Sequence, residues 1–192
     1  MLREEFKGYL LKWIGGKRIL RKTIAPLIPE DIKTYIEPFG GAAWVLFYYK
    51  RWADCEIYND LDGRLVNLFR CVKYHPCELA REMTYMLASR EQFLNSIKYP
   101  GETDIQKAAR FLFVFSRSFG GAGKQFAVQT KQAISSAGGI IERIENVSKR
   151  LDKVTIESKS AFDLIPLYDR PDSFFYLDPV YTKGAGYETS TT

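Results

Sequence analysis

The sequence predicts an α/β fold, in which a doubly wound parallel sheet carries a mainly helical insertion between its second and third strands. Two short β-prone segments, each followed by a helix-like segment, stand in succession at 34–49 and 55–69. Consecutive βα units of this kind favour a parallel sheet. Roughly 80 residues without a clear strand then precede two further β-prone segments, at 153–158 and 174–178.

The composition is that of a globular protein. The chain has 192 residues, of which 46% are hydrophobic and 15% aromatic, which suits one domain with a sizeable insertion and argues against disorder. The formal net charge of +5 is compatible with a polyanionic partner but does not require one.

Cysteine usage and the N-terminus indicate the compartment. Cys55, Cys71 and Cys77, with the single His75, have no spacing typical of a zinc site or a disulfide framework. The first 13 residues include acidic side chains and no long apolar stretch, so we expect neither a signal peptide nor a membrane span. These features predict a cytoplasmic protein with reduced thiols and no metal.

Each strand has a distinct pattern. The first, Thr34–Ile36, leads into a Pro/Gly turn and a predicted helix over 42–49. The second, 55–60, ends in Asn-Asp and precedes apolar residues at helical spacing. The third, 153–158, is rich in β-branched residues. The fourth, 174–178, is a continuous apolar run typical of a fully buried strand, and Asp178-Pro179 ends it.

The insertion contains three predicted helices, at 78–97, 104–119 and 138–151. The last two have clear apolar faces, since their hydrophobic residues recur every three or four positions. Between them, 120–139 is glycine-rich and polar, and loops of this length are commonly functional or disordered.

Unusual residues follow the strands where ligands bind in open parallel sheets, at the carboxyl ends. Glu37 and the Gly40-Gly41 pair follow the first strand, Asp60 the second and Asp178 the fourth. A Gly-Gly turn allows close approach of a ligand, and an acidic residue about twenty positions later suits ribose hydroxyls. The pattern therefore indicates a cofactor that contains adenosine.

The neighbouring charges favour S-adenosylmethionine over NAD or ATP. Glu37 would repel a pyrophosphate but would suit a cationic sulfonium. A second Gly-Gly pair, in the segment 10–18, is flanked by cations, and Lys17 there could receive the methionine carboxylate. Alternatively, Gly40-Gly41 is an ordinary strand–helix turn, Asp60 is a helix N-cap, and 10–18 is the basic start of a helix over 18–28.

Four segments, KWIGGKR, YIEPFGGAAWVLF, YNDLDGRLVNLF and FFYLDPVY, occur in this order between Leu10 and Tyr181. Together they resemble DNA adenine-N6 methyltransferases of the DNA adenine methylase type, the D12 class with the alpha-type motif order. The resemblance implies a Rossmann-like, S-adenosylmethionine-dependent methyltransferase sheet formed by 1–71 and 151–192, with 72–150 as a target-recognition insertion. The cofactor contacts that it implies are Trp13, Gly16, Lys17, Glu37, Phe39, Gly40, Gly41, Asp60, Phe162, Asp163 and Asp178.

By the same resemblance, the catalytic residues are Asp178, Pro179 and Tyr181. The exocyclic amine of adenine is a poor nucleophile because its lone pair is delocalised into the ring. Two acceptors, the Asp178 carboxylate and the Pro179 carbonyl, would stabilise the positive charge that develops on this amine. Tyr181 would stack on a base flipped out of duplex DNA. The sulfonium supplies the methyl group, so neither a metal nor a covalent enzyme intermediate is expected.

The sequence departs from the family pattern in two places. Val180 replaces the second proline of Asp-Pro-Pro-Tyr, which loosens the loop and predicts reduced activity. Family members also continue for several strands beyond the catalytic loop. We therefore expect a sheet that is incomplete on its C-terminal side, with an uncovered edge through which copies could associate.

A basic segment is the candidate DNA contact. Arg117, Lys124 and Lys131 lie in a stretch without acids, interleaved with Phe119 and Phe126, and could follow phosphates. The alternative is a solvated surface loop. For the whole chain, the first hypothesis is methylation of adenine N6 in duplex DNA. The alternatives are a shortened or degenerate methyltransferase that binds cofactor or DNA with little turnover, and methylation of RNA or protein.

Overall fold

The computed structural model describes residues 3–127 and 137–179. They contain a four-stranded, entirely parallel sheet in the order β3-β2-β1-β4, which confirms the predicted α/β fold. The strands are β1 (Thr34–Glu37), β2 (Cys55–Asn59), β3 (Val154–Glu157) and β4 (Ser173–Phe175). The chain passes outward from β1 through β2 to β3 and then returns to the other side of β1. The strand order therefore reverses between β1 and β4, which is where α/β sheets of this kind bind ligands.

The inner strand β1 has a neighbour on each side, and its last three residues are buried. The ring of Tyr35 stacks on Trp52, with centroids 4.9 Å apart, and on Phe174 of β4, with centroids 6.2 Å apart. These contacts fix the positions of β1 and β4 relative to each other, and hence of the residues that follow each strand.

The prediction of a fully buried fourth strand was wrong. β4 is short and only half-buried, and Leu177 is 53% exposed. The Tyr176 N–H still donates to the Ile36 carbonyl at 2.8 Å, so the chain stays beside β1 for one more residue. Within the described residues β4 pairs with β1 alone, which leaves its other side without a strand.

The helix predicted over 42–49 is also absent. Ala43 has φ of 57°, a left-handed conformation that interrupts an α-helix, and the only helical element there is a 3₁₀ turn at Leu46–Tyr48. The predicted helix over 18–28 is likewise short, with α1 at Arg21–Ile24 followed by a 3₁₀ turn at Ala25–Leu27.

The insertion is helical where it is described, but its first predicted helix is two helices. The Ser89 hydroxyl accepts the Gln92 N–H and caps the start of the second, so the pattern over 78–97 is broken before it. Short 3₁₀ turns follow at Phe119–Gly121 and Leu151–Lys153. The remaining helices are α2 (Gly63–Tyr74), α3 (Pro76–Thr84), α4 (Arg90–Lys98), α5 (Asp104–Arg117), α6 (Ala137–Arg150) and α7 (Ala161–Tyr168).

One hydrophobic core joins the sheet and the insertion. Phe69 of α2 packs edge-on against Tyr58 of β2, and α2 also packs along α5. The predicted boundary between 71 and 72 falls inside α2. The assignment of 72–150 to target recognition stays a prediction. Among the described residues, no helix is long and apolar enough to cross a membrane.

A buried ion pair fastens the insertion to the sheet. Two guanidinium nitrogens of Arg150, at the end of α6, donate to the two carboxylate oxygens of Glu56 in β2, at 2.8 and 2.7 Å. The side chains are 3% and 2% exposed. Arg150 also donates to the carbonyls of Leu46 and Tyr49, so its charge is fully coordinated by oxygen.

Candidate active site

The candidate site lies at the carboxyl edge of the sheet, where the loops after β1, β2 and β4 meet. The end of β2 holds the Gly-Gly loop of β1 through three hydrogen bonds of 2.8 Å. Gly40 N–H donates to the Asn59 carbonyl, Gly41 N–H donates to Asp60 Oδ2, and the Tyr58 hydroxyl donates to the Gly41 carbonyl. The loop is thus fixed in shape before any ligand is present.

Glycine is required at position 40 by the ring beneath it. A Cβ built on Gly40 would lie 2.3 Å from a ring carbon of Tyr58, which is fully buried. At Gly41, where φ is +50°, the nearest atoms would be those of the Trp13 ring at 3.5 Å. The first glycine therefore serves close packing, and the second serves the turn.

Gly40→Ala tests this packing. We expect it to destabilise the protein by about 1–3 kcal/mol through overpacking against Tyr58, and to weaken binding of S-adenosylhomocysteine because the loop must shift. Thermal unfolding and calorimetric titration measure the two effects. Gly63→Ala is the matched control, since a Cβ there meets no atom within 4 Å. Equal behaviour of the two variants would contradict the packing role of Gly40.

Asp60 has a structural role that the sequence did not predict. Besides Gly41, it accepts the Asp62 N–H at 2.8 Å, so each carboxylate oxygen has a backbone donor. Burial raises the pKa of this carboxyl, and the backbone hydrogen bonds oppose that shift. The alternative of Asp60 as the N-cap was wrong, because Asp62 caps α2 by accepting the Arg64 N–H.

Glu37 lies beneath the surface of the site. It is 1% exposed, and the Tyr35 hydroxyl donates to its Oε1 at 2.7 Å. Burial raises the pKa of the Glu37 carboxyl to about 8, so that it is mostly protonated at neutral pH. A direct contact with a cationic cofactor group is therefore less favoured than the sequence predicted. Phe39, the next predicted contact, is half-buried in the loop.

The N-terminal motif packs directly beside the Gly-Gly loop. Trp13 lies next to Gly41, and its ring also packs against Phe115 and Phe111 of α5, with centroids 4.6 and 5.9 Å away. Gly16 donates its N–H to the Trp13 carbonyl, and a Cβ at Gly16 would lie 2.7 Å from the ring of Trp44. Trp13 thus connects the predicted cofactor loops with the helical insertion.

An ion pair brings the first and last motifs together. Lys17 Nζ lies 2.5 Å from Asp178 Oδ2 and donates to the Gly15 carbonyl at 2.9 Å. The two charged side chains are only 16% and 21% exposed. The sequence assigned Lys17 to the methionine carboxylate, whereas in this structure it holds the predicted catalytic carboxylate. The Asp178 Oδ1 atom has no hydrogen bond within the described part of the chain.

The third group of predicted contacts lies at the start of α7. Phe162 is 88% exposed, and Asp163 is exposed beside it. Ser160 caps the helix by accepting the Phe162 N–H. The side chain of Asn59 bonds to the backbone of Lys159, just before this turn. No role was predicted for Asn59, although a polar residue at the end of a buried strand must find hydrogen-bond partners.

The predicted DNA contacts differ in exposure. Arg117 ends α5, is partly buried and lies over the ring of Phe113, and burial together with Arg143 lowers the pKa of its guanidinium. Lys124 is exposed on the loop that follows. This loop packs on the N-terminal motif, because a Cβ at Gly121 would lie 3.0 Å from the Lys12 backbone. Lys131, Val180 and Tyr181 lie outside the described residues.

The model of a known family matches residues 13–191, and that family is the D12 class N6 adenine-specific DNA methyltransferase. The chain belongs to this family. The match confirms the resemblance predicted from the four sequence segments, and it spans the N-terminal motif, the Gly-Gly loop, the insertion and the residues after β4.

Three relatives are type II methyltransferases. The chain is 28% identical to M1.LlaDCHI of Lactococcus lactis subsp. cremoris, over 88% of this chain and 64% of the relative. It is 25% identical to M.CviBI of Paramecium bursaria Chlorella virus NC1A, with 90% and 68% covered. It is 26% identical to M.MjaIII of Methanocaldococcus jannaschii, with 89% and 68% covered. The chain thus spans about two thirds of the length of these family members.

Proposed function

We propose that this chain transfers a methyl group from S-adenosylmethionine to the N6 amine of adenine in duplex DNA, in the cytoplasm. The observation that carries the proposal is the position of Asp178. It follows β4, which pairs with β1, and it contacts Lys17 of the N-terminal motif, at the reversal of strand order where α/β sheets bind ligands, in a chain of this family.

The described residues fit the cofactor. A flat exposed ring at Phe162 suits an adenine, and the Gly41 turn lies beside the ring of Trp13. Lys17, on the N-terminal motif that packs beside this turn through Trp13, could hold a methionine carboxylate. When bound, the cofactor would supply an electrophilic methyl group on a sulfonium. Asp60 would bind the ribose while keeping its backbone contacts to Gly41.

The residues at β4 would act on the adenine amine. Lys17 holds Asp178 through Oδ2, so Oδ1 is the oxygen placed to accept an N–H of the amine. The Pro179 carbonyl would accept the other N–H. Both contacts stabilise the positive charge that forms on nitrogen as the methyl group is transferred. Tyr181 would stack on the flipped adenine.

A second candidate is a family member that binds cofactor or DNA with little turnover. Val180 in place of the second proline favours it, because a looser catalytic loop places its two acceptors less accurately. Self-association through the outer side of β4 also stays a prediction.

The test is incubation with labelled S-adenosylmethionine and unmethylated duplex DNA, followed by digestion to nucleosides. We expect label in N6-methyladenine. Parallel incubations with RNA and with protein test the other acceptors, and label in one of those alone would overturn the proposal. S-adenosylhomocysteine binding without label in any acceptor would favour the second candidate.

Lys124→Glu tests the DNA partner. If Lys124 contacts a phosphate, the variant should bind duplexes of all sequences more weakly. The slope of log K against the logarithm of the salt concentration should also become shallower by about one unit. Fluorescence anisotropy at several salt concentrations measures both. Lys153→Glu is the matched control. Lys153 is exposed just before β3, at the amino ends of the strands and therefore opposite the candidate site. Identical salt slopes for both variants would place the DNA surface elsewhere.

A further inference from the structure

Asn59, the last residue of β2, makes side-chain bonds that cross the candidate site. Its Nδ2 donates to the Pro38 carbonyl at 2.8 Å and to the Lys159 carbonyl at 3.0 Å. Its Oδ1 accepts the Lys159 N–H at 2.8 Å. The side chain of Asn59 is fully buried, and its bond to Pro38 is made away from water, whereas the two bonds to Lys159 are partly buried.

The two segments that Asn59 joins carry different parts of the predicted cofactor site. Pro38 leads into the Gly40-Gly41 loop, which lies beside the N-terminal motif. Lys159 leads into Phe162 and Asp163 at the start of α7. The main-chain pairing between β2 and β3 ends at Asn59 and Glu157. Beyond that point the chains are joined by the side chain of Asn59 and by a longer, exposed bond of 3.4 Å from the Ser158 hydroxyl to the Asp60 carbonyl.

We propose that Asn59 is a positioning residue that sets the distance between the adenine-contacting and methionine-contacting parts of the cofactor site. This rests on the proposed function. A ligand that touches both segments gains affinity when their separation is fixed in advance, because binding the first part then places the second. A ligand that touches only one segment gains little affinity when the separation of the two segments is fixed.

Asn59→Asp tests the proposal with a side chain of nearly the same size. The carboxylate can still accept the Lys159 N–H, but it has no N–H for the two carbonyls and repels them. We expect the Kd of S-adenosylhomocysteine to rise about tenfold or more. The Kd of free adenine, which lacks the ribose and reaches only the segment with Phe162, should change less than about twofold. Calorimetry and NMR titration measure the two ligands.

The matched control is Asn67→Asp. Asn67 also donates its amide to a backbone carbonyl, that of Asp104 at 2.9 Å, but it joins α2 to the start of α5. We expect both affinities to match those of the parent. An equal loss of affinity for the two ligands in Asn59→Asp, or no loss of affinity for either, would overturn the proposal. Failure of the parent to bind S-adenosylhomocysteine would instead contradict the proposed function.

If Asn59→Asp does not fold, hydrogen exchange on the parent protein tests the positioning role of Asn59. Lys159 is exposed, yet its N–H donates to a buried side chain, so this amide should exchange slowly, and more slowly still with S-adenosylhomocysteine bound. Exchange at the rate of an open loop, unchanged by the ligand, would overturn the inference.

Discussion

Asp178→Ala is expected to reduce the rate of methyl transfer by about a thousandfold or more. The substitution removes the acceptor that would stabilise positive charge on the adenine amine. It also removes the carboxylate that pairs with Lys17, a mostly buried cation. Single-turnover assays with labelled S-adenosylmethionine measure the rate, and calorimetry with S-adenosylhomocysteine shows whether the cofactor still binds.

Two variants separate chemistry from general damage to β4. Asp172→Ala removes a carboxylate at the start of the same strand, where it pairs with Lys33 at 3.9 Å, and should leave the rate unchanged. Lys17→Met keeps Asp178 but removes its partner, and should lower activity less than Asp178→Ala. A rate for Asp178→Ala within tenfold of the parent would refute the catalytic assignment.

Arg150→Met is expected to lower the free energy of unfolding by about 3–5 kcal/mol. The large value follows from burial, because Glu56 would keep its charge at 2% exposure without the guanidinium that binds both of its oxygens. The carbonyls of Leu46 and Tyr49 would lose a donor as well. Equilibrium unfolding in urea measures the change.

Lys73→Met provides the comparison with an exposed pair. Lys73 lies 2.7 Å from Asp152, whose side chain is largely exposed, so the loss of this pair should destabilise the protein much less than the loss of the Arg150 pair. The double variant Arg150→Met with Glu56→Leu should recover part of the loss, since no buried charge remains. A loss in Arg150→Met as small as that in Lys73→Met would show that the buried pair does not hold α6 to the sheet.

The sheet could be predicted because local patterns specify it. Apolar and β-branched runs placed all four strands to within a few residues, and βα order implied parallel pairing. The helix predictions that were wrong failed for local reasons, which the spacing of hydrophobic residues does not reveal. Ala43 adopts a left-handed conformation that prevents a helix, and Ser89 caps a new helix within a continuous helical pattern. Full burial of β4 would require a strand on its outer side, and the apolar character of the segment does not show whether one lies there.

The candidate site was predictable as a set of residues but not as a set of contacts. Motifs named Lys17, Asp60 and Asp178, yet the Lys17–Asp178 pair joins residues 161 positions apart. Likewise, the three bonds of Asn59 depend on how the loops after β1 and β3 approach each other. Such pairings are set by tertiary packing, so no spacing in the sequence reports them.

A crystal structure with S-adenosylhomocysteine would show where this protein binds its cofactor. We predict that the ligand lies along the carboxyl ends of the strands from β3 to β4, with its adenine beside Phe162, its ribose hydroxyls at Asp60 and its sulfur facing Asp178. The methionine carboxylate should draw Lys17 toward it. A ligand bound away from the Gly40-Gly41 loop, or a well-folded protein that binds none, would contradict the proposed cofactor site.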